Sequence, residues 1–181
     1  MNKIYVETVQ LLLEAAPAVF AELPFAMKGG TALNFFIENM PRLSVDIDVV
    51  YTDHTQSRED ALFAIAESLK KIQERLIARG IAVELRPTAS GEETKLLVRR
   101  NQVVKIEVNY VFRGSILPIV QARLVPEARS LFGMDIDLPT QARSELYGSK
   151  LVAAMDRQHP RDLFDVRGLY AATGLTRMAL S

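Results

Sequence analysis

The chain has 181 residues, 49% apolar and 24% charged, a composition that supports a packed core and excludes wholesale disorder. Its 22 basic and 22 acidic residues cancel, so it is not a protein that holds nucleic acid by bulk positive charge. It has no Cys and two distant histidines, His54 and His159, which excludes a disulfide framework, a thiolate zinc site, a cysteine nucleophile and a histidine-rich metal centre.

No run approaches the ~18 apolar residues of a membrane span. Glu7 and Glu14 fall where a secretory leader would be cationic and then apolar, so the expectation is a cytoplasmic protein with no membrane partner. Apolar positions at Ile4, Val6, Val9, Leu12 and Leu13 predict a helix over 4–20. Beyond Pro24, Gly29 and Gly30 open onto the apolar run 32–40, read as a short helix entered through a glycine turn, with Thr31 as its cap. Residues 45–51 alternate, with Val45, Ile47 and Val49 facing one way and Asp46 and Asp48 the other, the signature of a strand with one buried face.

The segment 58–79 carries Leu62, Ile65, Ala66, Leu69, Ile72 and Leu76 on one helical face and stops at Gly80. Three strands follow, over 81–86, 95–100 and 103–112, with Asn101 and Gln102 as the turn between the second and third. In the third, Ile106, Val108 and Tyr110 face one side and Lys105, Glu107 and Asn109 the other. Residues 117–133 fit neither period. A helix is expected over 140–156 with Thr140 as its cap, and a last one over 161–172, ending near Gly174. This order of elements gives an α/β or α+β fold with a mixed sheet.

Chemistry concentrates in the segment 28–51, KGGTALNFFIENMPRLSVDIDVVY. Two aspartates one residue apart on a strand project from one face and can share a divalent cation; hard carboxylate oxygens suit Mg²⁺ completed by substrate phosphates. Glu107, on the polar face of another strand, is placed to be a third carboxylate. A glycine pair at a helix entrance lets backbone approach closely and offers free amides to an anion. Solvated strand faces also carry alternating acids, and 134–138 presents Asp135 and Asp137 at the same spacing without a glycine turn; that pair is read as a solvated strand edge.

The ordered set GGTALNFF, RLSVDIDVV, KIEV and KLVAAMDRQHPRDLFDV resembles the AbiEii/AbiGii-type (MenT-like) nucleotidyltransferase toxins of the DNA polymerase beta-like nucleotidyltransferase superfamily, over roughly residues 27–170. The resemblance implies an α+β fold: a polymerase beta-like core with a mixed β-sheet flanked by helices over 1–138, and C-terminal helices over 139–181 packing on that core. It implies that Asp46, Asp48 and Glu107 hold Mg²⁺ or Mn²⁺. Gly29, Gly30 and Thr31 would line the nucleotide phosphates beside Arg42 and Ser44. Lys150 would contact phosphate, with Asp162 as the last functional acid and Asp165 as a helix-surface or supporting residue. In some kinase-controlled relatives the serine matching Ser44 is phosphorylated, and a dianion beside Asp46 would disfavour a nucleoside triphosphate.

The implied activity is metal-dependent transfer of a nucleoside monophosphate from an NTP to an acceptor, by resemblance RNA such as the tRNA 3′ end. The implied setting is a toxin–antitoxin or phage-defence system with a cognate antitoxin protein. Two other readings stay open: an inactive nucleotide-binding or antitoxin-interacting module, and a small-molecule nucleotidyltransferase of the antibiotic-modifying kind. The zero net charge resolves by region, six acidic against two basic residues over 38–60 and seven basic against two acidic over 95–129. An acidic centre beside a basic band suits a metal-bound triphosphate and a polyanionic acceptor.

Overall fold

A computed structural model of the chain describes residues 3–21, 24–87, 94–110 and 114–173. Helix α1 (Lys3–Val19) buries Val9, Leu12, Leu13, Ala16 and Val19 and leads to strand β1 (Phe25–Lys28). Helix α2 (Gly29–Ala32) widens into a π turn over Leu33–Ile37, where Glu38 N–H donates to the Leu33 carbonyl at 2.7 Å. The acidic strand is β2 (Asp46–Tyr51). Helix α3 (Arg58–Ala78) is capped by Ser57, whose Oγ accepts from Asp60 N–H at 3.1 Å, and is followed by Gly80 at φ 71°. Next come β3 (Ala82–Pro87), β4 (Thr94–Arg99), β5 (Val103–Asn109), β6 (Val120–Arg123), α4 (Pro126–Phe132), β7 (Asp137–Thr140), α5 (Arg143–Arg157) and α6 (Pro160–Thr173).

The seven strands form one mixed sheet in the order β3-β4-β5-β2-β1-β7-β6, with β2/β5 and β1/β7 parallel and the other pairs antiparallel. The expected α+β architecture, a mixed sheet flanked by helices, is therefore found. Period-2 alternation gives the sheet two unlike faces. Ile47 and Val49 of β2, Leu96 and Val98 of β4, and Val104, Ile106 and Val108 of β5 are buried in one cluster with the apolar stripes of α1 and α3. The opposite face carries Asp46, Asp48, Lys105 and Glu107; α2 lies over its β1–β2 part, with α5 packed on α2 and α6 on α5. Over β3, β4 and β5 that second face is open: Glu84, Arg86 and Arg99 are exposed and Lys95, Leu97, Lys105 and Glu107 half-buried.

Several local expectations are corrected. Residues 25–28 form a strand that is apolar except at its last residue and too short to show alternation. Neither threonine caps a helix: Thr31 lies inside α2, and Thr140 is the buried end of β7, so α5 starts only at Arg143 after an uncapped Ala142. Ala66 is exposed, while Ala61 and Ser68 share the buried face of α3. The undecided stretch 117–133 holds β6 and α4, each too short for its period to register. Strand β7 is not an edge, since β1 and β6 flank it; Asp135 precedes it and pairs with Arg123 and Arg129. Gly174 and residues 111–112 lie outside the described residues.

Candidate functional site

Strand β1 ends at Lys28 and the chain turns at Gly29 with φ +73°, a conformation that costs an L-residue about 1–2 kcal/mol. A Cβ there would lie 2.2 Å from Asp48 Oδ2, and one on Gly30 would lie 2.9 Å from Arg42 Nη2 and 3.2 Å from Ser44 Oγ. Gly29 is thus demanded by its φ and by the Asp48 carboxyl against it, and Gly30 lies close under Arg42 and Ser44, so the turn sits against the acidic strand and its flanking residues. Thr31 fixes this contact from within α2, donating to the backbone carbonyl of Asp46 and sharing a 2.9 Å hydrogen bond with Ser44 Oγ. Asn34, fully buried, donates from Nδ2 to the Gly30 carbonyl at 2.8 Å.

Across the sheet, partners in register point to the same face. Lys28 stands opposite Asp48, Asp48 beside Glu107, and Asp46 beside Lys105. Burial raises the pKa of Asp48, and repulsion from Asp46 and Glu107 adds to it, against the pull of Lys28 and Lys150. Glu107 is paired to Lys105 at 3.0 Å and approaches Lys95 at 4.0 Å. Burial lowers the Lys105 pKa, but the bond to Glu107 and the field of Asp46, Glu107 and Asp48 outweigh it and raise it overall.

Among the described residues, no three His, Cys, Asp or Glu side chains converge as a ready metal cage. The donor set nevertheless fits Mg²⁺, which binds through one or two carboxylates plus substrate phosphates rather than an all-protein shell. Asp46 and Asp48 would supply the carboxylates, and the crowding that raises the Asp48 pKa is what a cation would relieve.

The C-terminal helices close the site with a buried ion network. Asp165, its side chain 1% exposed, accepts from Arg42 Nε at 2.7 Å through Oδ1 and from Nη2 at 2.6 Å through Oδ2, and the same Oδ2 lies 3.1 Å from Lys150 Nζ. Lys150 also donates to Asp162 at 2.9 Å, and Arg157 reaches Asp162 at 3.0 Å. Burial pushes the Asp162 pKa up, but Lys150, Arg157 and His159 outweigh it and hold it below the ordinary value. Of the two readings the sequence left for Asp165, a helix-surface or a supporting residue, its burial excludes the first: it links α6, α5 and the glycine turn. Its burial follows from a helix face on which Asp162, Asp165 and Leu169 recur at three- and four-residue spacing.

The structure thus brings Gly29, Gly30, Thr31, Arg42, Ser44, Asp46 and Asp48 together, sets Glu107 on the neighbouring strand, and links Lys150 and Asp162 to them through Asp165. Sequence reasoning passed over Lys28 and Glu145. Burial lowers the Lys28 pKa, partly offset by Asp48 and Glu145. Glu145 Oε2 accepts from Ser115 Oγ at 2.6 Å and its Oε1 from Ile116 N–H at 3.1 Å, so it also fastens the chain entering β6. A lysine directly before the glycine pair was the available signal for Lys28; Glu145, within a helix of ordinary composition, offered none.

The fold is shared with nucleotidyltransferases of known structure. MenT4, a nucleotidyltransferase toxin of Mycobacterium tuberculosis H37Rv, superposes with a TM-score of 0.63 at 20% identity, over 96% of this chain and 61% of MenT4. A crystal structure of an H. pylori protein assigned as a nucleotidyltransferase gives 0.61 at 18% identity, over 96% of this chain and 71% of that one. The chain belongs to the family of AbiEii nucleotidyl transferase toxins of type IV toxin–antitoxin systems, whose model matches residues 10–181. It spans about three fifths of the length of MenT4. None of the curated proteins compared with it is significantly similar in sequence.

Proposed function

We propose that the protein is a divalent-metal-dependent nucleotidyltransferase that moves a nucleoside monophosphate from an NTP to the 3′ end of an RNA such as tRNA, acting as the toxin partner of a cognate antitoxin. The carrying observation is the seating of the Gly29–Gly30 turn on Asp48, which puts a phosphate-accommodating backbone against two carboxylates on one strand face. Membership of a nucleotidyl transferase toxin family supports the same reading.

In this scheme Asp46 and Asp48, with Glu107 on the neighbouring strand, would hold Mg²⁺ or Mn²⁺. The bound cation supplies charge neutralisation at the attacking and leaving oxygens. Gly29, Gly30 and Thr31 seat the phosphates, with Arg42 and Ser44 beside them. An acceptor hydroxyl attacks the α-phosphorus and forms the new P–O bond. The bond from the α-phosphorus to the α–β bridging oxygen breaks, and pyrophosphate leaves. Asp46 or Glu107 takes the hydroxyl proton. Lys150 and Lys28 oppose the negative charge that collects on the leaving group. Asp162 is a positioning residue, since it reaches the site through Lys150.

The test is incubation with α-labelled NTPs, Mg²⁺ and total RNA. Label in RNA that is lost with Asp48→Asn is expected. Label in small molecules alone would favour the antibiotic-modifying reading, and no metal-dependent incorporation at all would overturn both.

A further inference from the structure

The sequence places seven cations in residues 95–129, and the fold sorts them. Arg100 pairs with Glu14 of α1 at 2.6 Å, and Arg123 and Arg129 pair with Asp135. Arg113 lies outside the described residues. Lys95, Arg99 and Lys105 stand on the open face of the sheet, joined there by Arg86 of β3.

Register makes these cations a track. Arg86 of β3 lies beside Lys95 of β4, Lys95 beside Glu107 of β5, and Glu107 beside Asp48 of β2. A second row runs from Asp46 through Lys105 and Leu97 to Glu84. Three strand spacings of about 4.8 Å carry the first row about 14 Å from Asp48 to Arg86. Stacked nucleotides advance about 3.4 Å each, so this is the reach of about four phosphates. Arg86 and Arg99 are held by Glu84 at 2.7 and 3.8 Å, which spaces them without cancelling the row. The side chains of this face over β3, β4 and β5 include no aromatic residue.

We propose that the open face of β3, β4 and β5, through Arg86, Lys95, Arg99 and Lys105, grips the sugar-phosphate backbone of the acceptor strand whose 3′ end lies at Asp48. This surface rests on the polynucleotide-acceptor reading above. It favours RNA over an acidic protein because Lys95 and Arg86 continue outward the row that starts at Asp48, with Lys105 and Arg99 to one side of that row, as a strand ending at Asp48 requires. Lacking stacking groups, it holds the backbone and is indifferent to base sequence. Glu84 sets the field of the outer end.

The test is fluorescence anisotropy of a labelled single-stranded RNA dodecamer with the full chain, without NTP, across a salt series. For single strands each phosphate-neutralising cation contributes about −0.7 to the slope of log K against log salt. Four cations give a slope near −2.8, and Arg86→Gln with Arg99→Gln brings it near −1.4, a loss of about 25-fold in affinity at 0.1 M salt relative to 1 M. Glu84→Gln, which frees both arginines, moves affinity the other way by about fivefold. A damaged fold would not produce that gain, so the pair of variants stays decisive even if the double variant is unstable. A fluorescent mant-NTP should bind the double variant as it binds wild type.

Unchanged RNA affinity in both variants, no RNA binding by wild type, or binding of labelled polyglutamate in preference to RNA would each overturn the proposal. Loss of RNA binding in the double variant together with a gain in Glu84→Gln supports it, whatever the labelled-NTP assay shows. Failure of this surface and failure of the transfer reaction are therefore read separately.

Discussion

Asp165→Asn removes one charge and almost no volume, so it isolates the work of the ion network. Oδ2 of Asp165 serves two cations, Arg42 Nη2 at 2.6 Å and Lys150 Nζ at 3.1 Å, while Oδ1 serves Arg42 Nε at 2.7 Å. With its amide oxygen at the Oδ2 position, asparagine keeps two acceptances but turns its NH₂ toward the Nε donor. The better rotamer therefore forfeits one charge-assisted bond, worth about 1.5–3 kcal/mol, and leaves two cations at a neutral partner. Truncating one member of a buried pair costs about 3–5 kcal/mol, and an isosteric amide belongs at the lower end, about 3 kcal/mol. For a chain of this size that lowers Tm by about 6–12 °C. The assay is urea and thermal unfolding of wild type, Asp165→Asn, Arg42→Gln and the double variant, with a coupling of at least about 1.5 kcal/mol expected from the cycle. Asp135→Asn is the control: Asp135 also binds two arginines, but its side chain is 50% exposed, so solvent screening should leave its loss far smaller than that of Asp165→Asn. Equal stability of Asp165→Asn and Asp135→Asn would refute the reasoning.

Gly29→Ala combines a left-handed φ with a Cβ 2.2 Å from Asp48 Oδ2, and should lose about 2 kcal/mol or more together with NTP binding by fluorescence titration; Gly80→Ala, at φ +71° with open space around it, should lose about 1 kcal/mol and no binding. Asp48 has its folded pKa raised, so its contribution is fullest below its unfolded pKa near 3.8 and is lost as pH rises through the folded one. Metal-free Asp48→Asn should therefore exceed wild type in stability by about 0.5–2 kcal/mol at pH 7, with the gap closing toward pH 4 in chemical denaturation and no stabilisation by added Mg²⁺. Asp162 has the opposite sign: its pKa is lowered, and the stability it confers, present above pH 3.8, is lost as pH falls through the folded value, a loss that Asp162→Asn should abolish in acid titration. Lys28→Met should lower kcat, and kcat/KM for the NTP with it, by about tenfold or more, since it removes one charge-assisted contact to the leaving group as its charge develops; an unchanged kcat/KM would place Lys28 outside the nucleotide site.

What the sequence disclosed, it disclosed through local rules. Alternation over residues 45–51 located the acidic strand and faced Asp46 and Asp48 away from the core, because a period of two is a property of the strand itself. The long stripe of α3 and its Gly80 stop were equally local. Strand β1 escaped because its three buried residues, Phe25, Ala26 and Met27, are apolar on both sides and only Lys28 at its end is polar, which leaves no alternation to read. The threonines misled because a hydroxyl ahead of a helix is also free to bond across space: Thr31 spends its donor on Asp46, fifteen residues away. Lys150 and Asp162 were recognisable as motif residues, but Asp165 became the link through a partner 123 residues away, a relation no spacing encodes.

That distant partner gives the C-terminal helices a place in the site rather than beside it. Arg42 follows α2 in the chain, and its Nη2 stands where a Cβ on Gly30 would come within 2.9 Å. Its Nε and the same Nη2 bond to Asp165 while Nη1 donates to the Leu43 carbonyl, so α6 helps fix the guanidinium that borders the phosphate-accommodating turn. Lys150 closes the loop, bound to Asp165 and Asp162 while its charge is felt at Asp48. An incoming triphosphate would meet two cations already shared with carboxylates. Its binding energy is then the difference between phosphate and carboxylate as partners, not the full strength of either contact. In the proposed nucleotide site this competition would set a moderate affinity while keeping both cations preorganised, so the loss of Asp165 should weaken the fold far more than it weakens the attraction for phosphate.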